Sequence, residues 1–191
     1  MTIKKIGVLG SGVMGGGTEI AYLIAVKGFE VVLCCVEQRF VAGALKRMSG
    51  YLDRKIENQQ MTGDEKEAIL KRITFTTNME DFAPVDLVIE AIFEDIETKK
   101  SAFEKLDKIC DRDIVLASNS SATLINALAS VTSRPDKVVG LRFVNPAHIM
   151  RKVEVIRGYH TCDETLNLAS GVIQAIGKTI VVLSETHSSC N

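Results

Sequence analysis

The sequence predicts a doubly wound α/β domain: a mainly parallel sheet with helices on both faces. Three observations predict it. Short apolar runs alternate with segments of helical period along almost the whole chain. The runs are apolar at nearly every position, as strands covered on both faces are. A glycine-rich turn joins the first run to the first helical segment. Alternation of this kind implies parallel pairing with right-handed crossovers.

The elements follow in order. Residues 6–9 form an apolar run that ends in glycines. Residues 13–26 have helical period, with Ile20, Ala21, Leu23 and Ile24 on one face, and Gly28 stands where a helix C-terminus favours glycine. Residues 31–36 are the next strand, 39–58 a long helix, and 64–72 a second helix capped by Thr62. A weak strand at 73–76 precedes a buried one at 85–91. Residues 96–110 are amphipathic, with Ala102, Phe103, Leu106, Ile109 and Cys110 on one stripe. Strand, helix and strand follow at 114–117, 124–129 and 138–143, then again at 153–156, 163–176 and 180–183. Ser184–Asn191 is polar and patternless, so the domain is expected over 1–183 with a tail over 184–191.

Composition narrows the function. Of 191 residues, 46% are hydrophobic, enough for a real core, and the formal net charge is -1. A near balance of charge argues against nucleic-acid or anionic-membrane partners, which call for a basic excess. The N-terminus lacks the pattern of a signal peptide, and no apolar run approaches the roughly 18 residues of a membrane span. A soluble, cytoplasmic protein is expected. The five cysteines show no metal-ligand spacing with histidine and should be thiols, with Cys34, Cys110 and Cys162 as small core residues.

The glycine turn carries the chemistry. Gly10, Gly12 and Gly15, with Val13 and Met14 between them, fit G-x-G-x-x-G. The motif follows a strand, opens a helix and lies in a unit of about 30 residues, the context that makes it a dinucleotide site. One glycine makes the tight turn, one admits the pyrophosphate, and one lets helix and strand approach. The helix N-terminus then offers free N–H groups and a positive partial charge to the phosphates. A carboxylate is expected about 20 residues on, for the ribose hydroxyls. Position 35 is cysteine; Glu37 is the nearest carboxylate, as ribose ligand or as a surface loop residue. Arg39 beside it leaves a 2′-phosphate open.

Five stretches occur in order at family-like spacing: residues 7–17 (GVLGSGVMGGG), 87–94 (LVIEAIFE), 116–121 (LASNSS), 140–146 (GLRFVNP) and 152–158 (KVEVIRG). Together they resemble the NAD-binding domain of 3-hydroxyacyl-CoA dehydrogenases, a Rossmann-like fold. The stretch from Asn145 to Met150 is similar to the version in multifunctional fatty-acid oxidation proteins. The resemblance covers nearly all of residues 3–183. It implies NAD as cofactor, a 3-hydroxyacyl-CoA as substrate, and oxidation to the 3-oxoacyl-CoA. It implies that Gly10, Gly12 and Gly15 hold the pyrophosphate and that Glu94 and Lys99 line the cofactor site. Asn119 and Ser121 would lie near the nicotinamide and the substrate oxygen. Asn145 would hydrogen-bond at the reacting centre, and Glu154 would orient a catalytic histidine.

The departures from the family pattern bear on activity. Arg142 stands at the position of the histidine that takes the hydroxyl proton. A guanidinium, with a pKa above about 12, cannot be that base. Cys35 replaces a usual aspartate and Ala122 a usual serine. The family continues into a helical domain that dimerises and completes the substrate site; this sequence lacks it, which implies an impaired enzyme and a weakened homodimer. Glu154 opposite Arg142 suggests an ion pair. His148 is read as a loop residue facing solvent or CoA, with a substitute base as the lesser reading. A binding-only NAD or CoA domain, or a fragment, is the competing function. Another NAD-dependent β-hydroxyacid dehydrogenase is a weaker third, against which the Asn-Pro and VEVIRG stretches speak.

Overall fold

A computed structural model describes residues 3–12 and 16–184. Its elements are β1 (Lys5–Leu9), α1 (Gly16–Val26), β2 (Glu30–Cys34), α2 (Gln38–Glu57), α3 (Gly63–Lys71), β3 (Ile73–Thr76), β4 (Leu87–Glu90), α4 (Ile96–Ile109), β5 (Val115–Ser118), α5 (Ala122–Ala129), β6 (Val138–Phe143), β7 (Lys152–Arg157), α6 (Asp163–Ala175) and β8 (Thr179–Ser184). Single 3-10 turns at Met79–Phe82 and Pro135–Lys137 lead into β4 and β6.

The strands form one sheet in the order β3-β2-β1-β4-β5-β6-β7-β8. Every pair is parallel except β6–β7. The chain winds outward from β1 to β3, returns to β4 on the other side of β1, and continues to β8. The reversal between β1 and β4 is a switch point, where the loops beyond the strand carboxyl ends diverge and leave a crevice.

Period-two alternation explains the two cores. Ile6, Val8, Leu87, Ile89, Val115, Ala117, Val139 and Leu141 face one side, under α1, α2, α3 and α6. Leu9, Val88, Leu116 and Ile156 face the other, under α4 and α5. These near-continuous apolar runs are what a sheet buried on both faces needs. α3 starts with a full capping box, in which Thr62 accepts from the Glu65 amide and Glu65 accepts from the Thr62 amide.

Two element ends and one burial expectation are corrected by the structure. The second strand stops at Cys34, because β3 ends at Thr76 and the last ladder bond is Cys35 N–H to the Thr76 carbonyl. Val36 is left 74% exposed. Ser184 belongs to β8 and not to a tail, since it pairs with Arg157. Cys162 is half-buried at the start of α6, outside the core. The remainder of the expected tail, 185–191, lies outside the described residues, as do Val13, Met14 and Gly15.

Candidate active site at the carboxyl ends of β1, β4, β5 and β6

The glycine turn leaves β1 at the switch point. Gly10 has φ +98 and Gly12 φ +55, a region that side chains with a Cβ rarely enter. The Gly10 amide donates to the Cys34 carbonyl at 2.8 Å, which ties the turn to the end of β2. α1 begins almost on top of it: a Cβ on Gly17 would overlap the Gly10 carbonyl oxygen. Thr18 fixes the same junction by donating its hydroxyl to the Ser11 carbonyl at 2.9 Å. Among the described residues Gly17 makes the close helix-to-turn approach that such a motif calls for, and Gly15 lies outside them. The signal was the run of three glycines at 15–17. Arg47 on α2 reaches the Ser11 and Gly12 carbonyls at 3.4 Å each and the Thr18 hydroxyl at 3.1 Å.

Cys35 is buried beside this turn. Burial pushes its thiol up, against the Ser11 hydrogen bond and the Arg47 charge that pull it down. It stays a neutral thiol and offers no carboxylate. Glu37 is the residue before α2, with its side chain 51% exposed and Arg39 Nε 2.9 Å from its carboxylate. The Arg39 charge is therefore shared with Glu37.

Behind β4 and β5 lies a buried polar network. Lys99 Nζ sits 2.6 Å from Glu90 Oε1, and neither side chain has exposed surface. Glu90 also accepts from the Ile92 amide at 2.7 Å and from the Ser118 hydroxyl at 2.6 Å. Ser118 bonds on to Ser120 at 2.9 Å, and Ser120 donates to Glu94 at 3.1 Å. Glu94 in turn accepts from the Ser121 amide at 3.3 Å and lies 3.5 Å from Lys99 Nζ. Lys99 and Glu94 thus come together, but Lys99 is enclosed and reaches the surface only through Glu94. Glu90, Ser118 and Ser120 were not singled out from sequence; a glutamate closing the apolar run LVIE was the available signal.

Ser121 is exposed just before α5, its hydroxyl 3.1 Å from Thr123 Oγ1. Asn119 joins β5 to β6: its amide donates to the Glu90 carbonyl at 2.7 Å, and its Oδ1 accepts from Phe143 N–H at 2.8 Å. Among the described residues the side-chain NH2 of Asn119 makes no hydrogen bond. Asn145 is exposed two residues past β6, in a cis bond to Pro146.

Arg142 and Glu154 are register partners across the antiparallel β6–β7 pair. Arg142 Nη1 lies 2.7 Å from Glu154 Oε2, with the arginine side chain 49% exposed. The expected ion pair is present. His148 is a partly covered loop residue, its side chain 25% exposed. Its ring packs on Tyr51 at 4.6 Å between centroids, and its Nδ1 lies 3.3 Å from Glu19 on α1.

Among the described residues no group of three or more potential metal ligands gathers, and no helix is long and apolar enough to cross a membrane. A surface hollow of about 290 Å³, lined by Lys5, Glu30, Val31, Lys71, Arg72 and Thr74, lies near the amino ends of β1 and β2, away from the glycine turn.

Comparison with known proteins matches this arrangement. Residues 5–186 fit the family of the 3-hydroxyacyl-CoA dehydrogenase NAD-binding domain. A probable 3-hydroxybutyryl-CoA dehydrogenase of Deinococcus radiodurans is 42% identical over 178 residues, 92% of this chain and 62% of the relative. The fatty acid oxidation complex subunit alpha of Acinetobacter baumannii is 34% identical over 96% of this chain and 25% of its own length. The crystal structure of 3-hydroxybutyryl-CoA dehydrogenase from Escherichia coli superposes with a TM-score of 0.92 at 32% identity, covering 97% of this chain and 39% of that one. The chain spans 62% and 64% of the first two curated relatives. The fold, the glycine turn and the match across 5–186 lead to one assignment: the chain belongs to the 3-hydroxyacyl-CoA dehydrogenase family, matches its NAD-binding domain, and has NAD as its cofactor.

Proposed function

We propose that this domain binds NAD(H) at the glycine turn and serves the interconversion of a short 3-hydroxyacyl-CoA with its 3-oxo form. One observation carries the reading. The Gly10–Gly12 turn, the Glu94–Ser121 corner and the Asn119–Phe143 junction all lie at the carboxyl end of one sheet, around its switch point. The turn suits a dinucleotide: positive φ at Gly10 and Gly12 and the tight seat of Gly17 leave backbone, and no Cβ, facing the pyrophosphate. The 3-hydroxybutyryl-CoA dehydrogenases among the relatives favour a short acyl group.

Bound NAD supplies the hydride acceptor. The protein's own groups do the rest. Gly10 and Gly12, with Val13, Met14 and Gly15, hold the pyrophosphate, and Glu37 is the carboxylate nearest the ribose. Glu94, braced by Lys99, lines the cofactor edge. Asn119, held by its Oδ1 to the Phe143 amide, would offer its NH2 to the nicotinamide side. Ser121 and Asn145 donate hydrogen bonds to the substrate oxygen. Arg142 stabilises negative charge on that oxygen but cannot take its proton, so turnover is slow.

A second reading, a binding-only domain, is favoured by the Arg142–Glu154 pair, which occupies the carboxylate that would otherwise orient an imidazole. Acetoacetyl-CoA-dependent NADH oxidation, run beside NADH fluorescence titration of wild type and Gly12→Val, decides between them. Slow turnover with binding lost in Gly12→Val supports the first reading. Binding without turnover supports the second. Equal affinity in both proteins removes the turn from either.

A further inference from the structure

The loop between β6 and β7 carries Asn145, yet its firmest attachment is to the cofactor helix. The Ala147 amide donates to Glu19 Oε2 at 2.5 Å. His148 Nδ1 stands 3.3 Å from the same oxygen. That nitrogen is buried and has no hydrogen-bond partner among the described residues. It lies beside the carboxylate without a hydrogen bond to it. Glu19 Oε1 accepts from the Tyr51 hydroxyl at 3.2 Å, and the Tyr51 ring stacks on His148. Lys178 holds the loop from the far side, donating to the Ala147 and Met150 carbonyls at 2.7 Å each.

Glu19 is therefore one carboxylate shared by α1, α2 and the loop. Its neighbour Thr18 is bonded to the Ser11 carbonyl in the glycine turn. A rigid path runs from turn to Thr18, to Glu19, to Ala147, two residues from Asn145. We propose that Glu19 and His148 are positioning residues, a latch that couples occupation of the glycine turn to the placement of Asn145. This rests on the reading that the turn takes NAD(H).

Other charged groups face the latch. Lys178 feels Glu19, although burial dominates and lowers its pKa. Arg47 and Arg54 on α2 lie near Tyr51. Burial first, and then Glu19, raise the Tyr51 phenol. Tyr51 thus reports on the carboxylate spectroscopically. A mere packing role for Glu19 predicts neither that signature nor any response of the loop to NADH.

The test is amide hydrogen exchange of the whole chain, with and without NADH, on wild type, Glu19→Ala and Glu19→Gln. In wild type, NADH slows the Ala147, Ile149 and Met150 amides. In Glu19→Ala the ligand-free Ala147 amide exchanges about tenfold faster or more, as loss of a charge-assisted bond requires, and NADH no longer slows the loop. Glu19→Gln keeps the shape and one acceptor, and guards against an alanine variant that does not fold. There the acceleration is smaller, and Tyr51, assigned by difference against Tyr51→Phe, ionises at lower pH. Unchanged Ala147 exchange in the folded variants overturns the latch. So does bound NADH that slows no loop amide in wild type, or slows it equally without Glu19. If calorimetry finds no NADH binding, the cofactor reading fails separately, and the ligand-free exchange still judges the latch.

Discussion

Lys99 and Glu90 are joined at 2.6 Å with no exposed side-chain surface on either residue. Such a pair is tolerable only because its remaining valences are filled. Glu90 takes the Ile92 amide and the Ser118 hydroxyl, and Lys99 also donates to the Ile92 carbonyl. The pair stands where β4 gives way to the loop carrying Glu94, so it sets the wall of the crevice.

Removing one partner leaves the other charged and dry. Lys99→Met should lower stability by about 3–5 kcal/mol, the cost of breaking a buried pair. Glu90→Gln combined with Lys99→Met should recover much of that loss, because no lone charge then remains. Urea unfolding of the single and double variants checks both. A single-variant loss near zero would show that water reaches this network.

Just past β2, where the resemblance implies a ribose carboxylate, stands the Cys35 thiol. A hydrogen bond to a charged group is worth about 1.5–3 kcal/mol, so Cys35→Asp should tighten NADH about tenfold or more. Glu37 is exposed and engaged with Arg39, so Glu37→Ala should cost less. Calorimetric titration of both variants is the measurement. The opposite order, a large loss at Glu37 and no gain at Cys35, would make Glu37 the ribose ligand.

The buried thiols also set an alkaline limit. Burial, reinforced by Cys35 and Asp81, pushes Cys34 from an ordinary 9.0 to about 12. The folded state therefore holds a proton that the unfolded chain releases first. Its stability contribution is complete below about pH 9 and is lost as pH rises through about 12. The urea midpoint should fall across that window, and less steeply in Cys34→Ala. Identical slopes in both proteins would count against a protonated Cys34 in the fold.

Much of this architecture was legible because both sheet faces are covered. Runs such as residues 31–34 and 87–90 carry a strand signal that needs no tertiary knowledge, and Thr62 with Glu65 marks a helix start. The antiparallel β6–β7 pair was less plain, although the eight residues from 144 to 151 are too few for a parallel crossover of a dozen or more. Of the site, the glycine turn and the Arg142–Glu154 pair could be foreseen, the first from spacing and the second from resemblance. The latch could not. Glu19 and Ala147 are 128 residues apart, and the donor is a backbone amide, which leaves no mark on residue type. Nor could the packing of the His148 ring on Tyr51, which joins a loop to a helix nearly a hundred residues earlier.

Arg142 and Glu154 define the remaining prediction, which concerns chemistry. Antiparallel register puts the two side chains opposite each other on β6 and β7. A histidine at 142 would therefore meet the same carboxylate. Glu154 would accept from one ring nitrogen and fix the tautomer, leaving the other nitrogen to take the hydroxyl proton near neutral pH. General acid–base participation contributes about 10²–10⁴-fold, so Arg142→His should raise acetoacetyl-CoA-dependent NADH oxidation by up to that factor. Two controls belong with it. NADH affinity should be unchanged, since Arg142 lies away from the glycine turn. In Arg142→His with Glu154→Gln most of the gain should vanish, because the imidazole loses its orienting charge. The rate gained should also depend on pH: reduction of acetoacetyl-CoA takes its proton from the imidazolium, so the gain falls as the imidazole deprotonates, whereas an arginine gives no such limb. Robust activity in the unmodified chain, flat across that range, would mean that another group handles the proton.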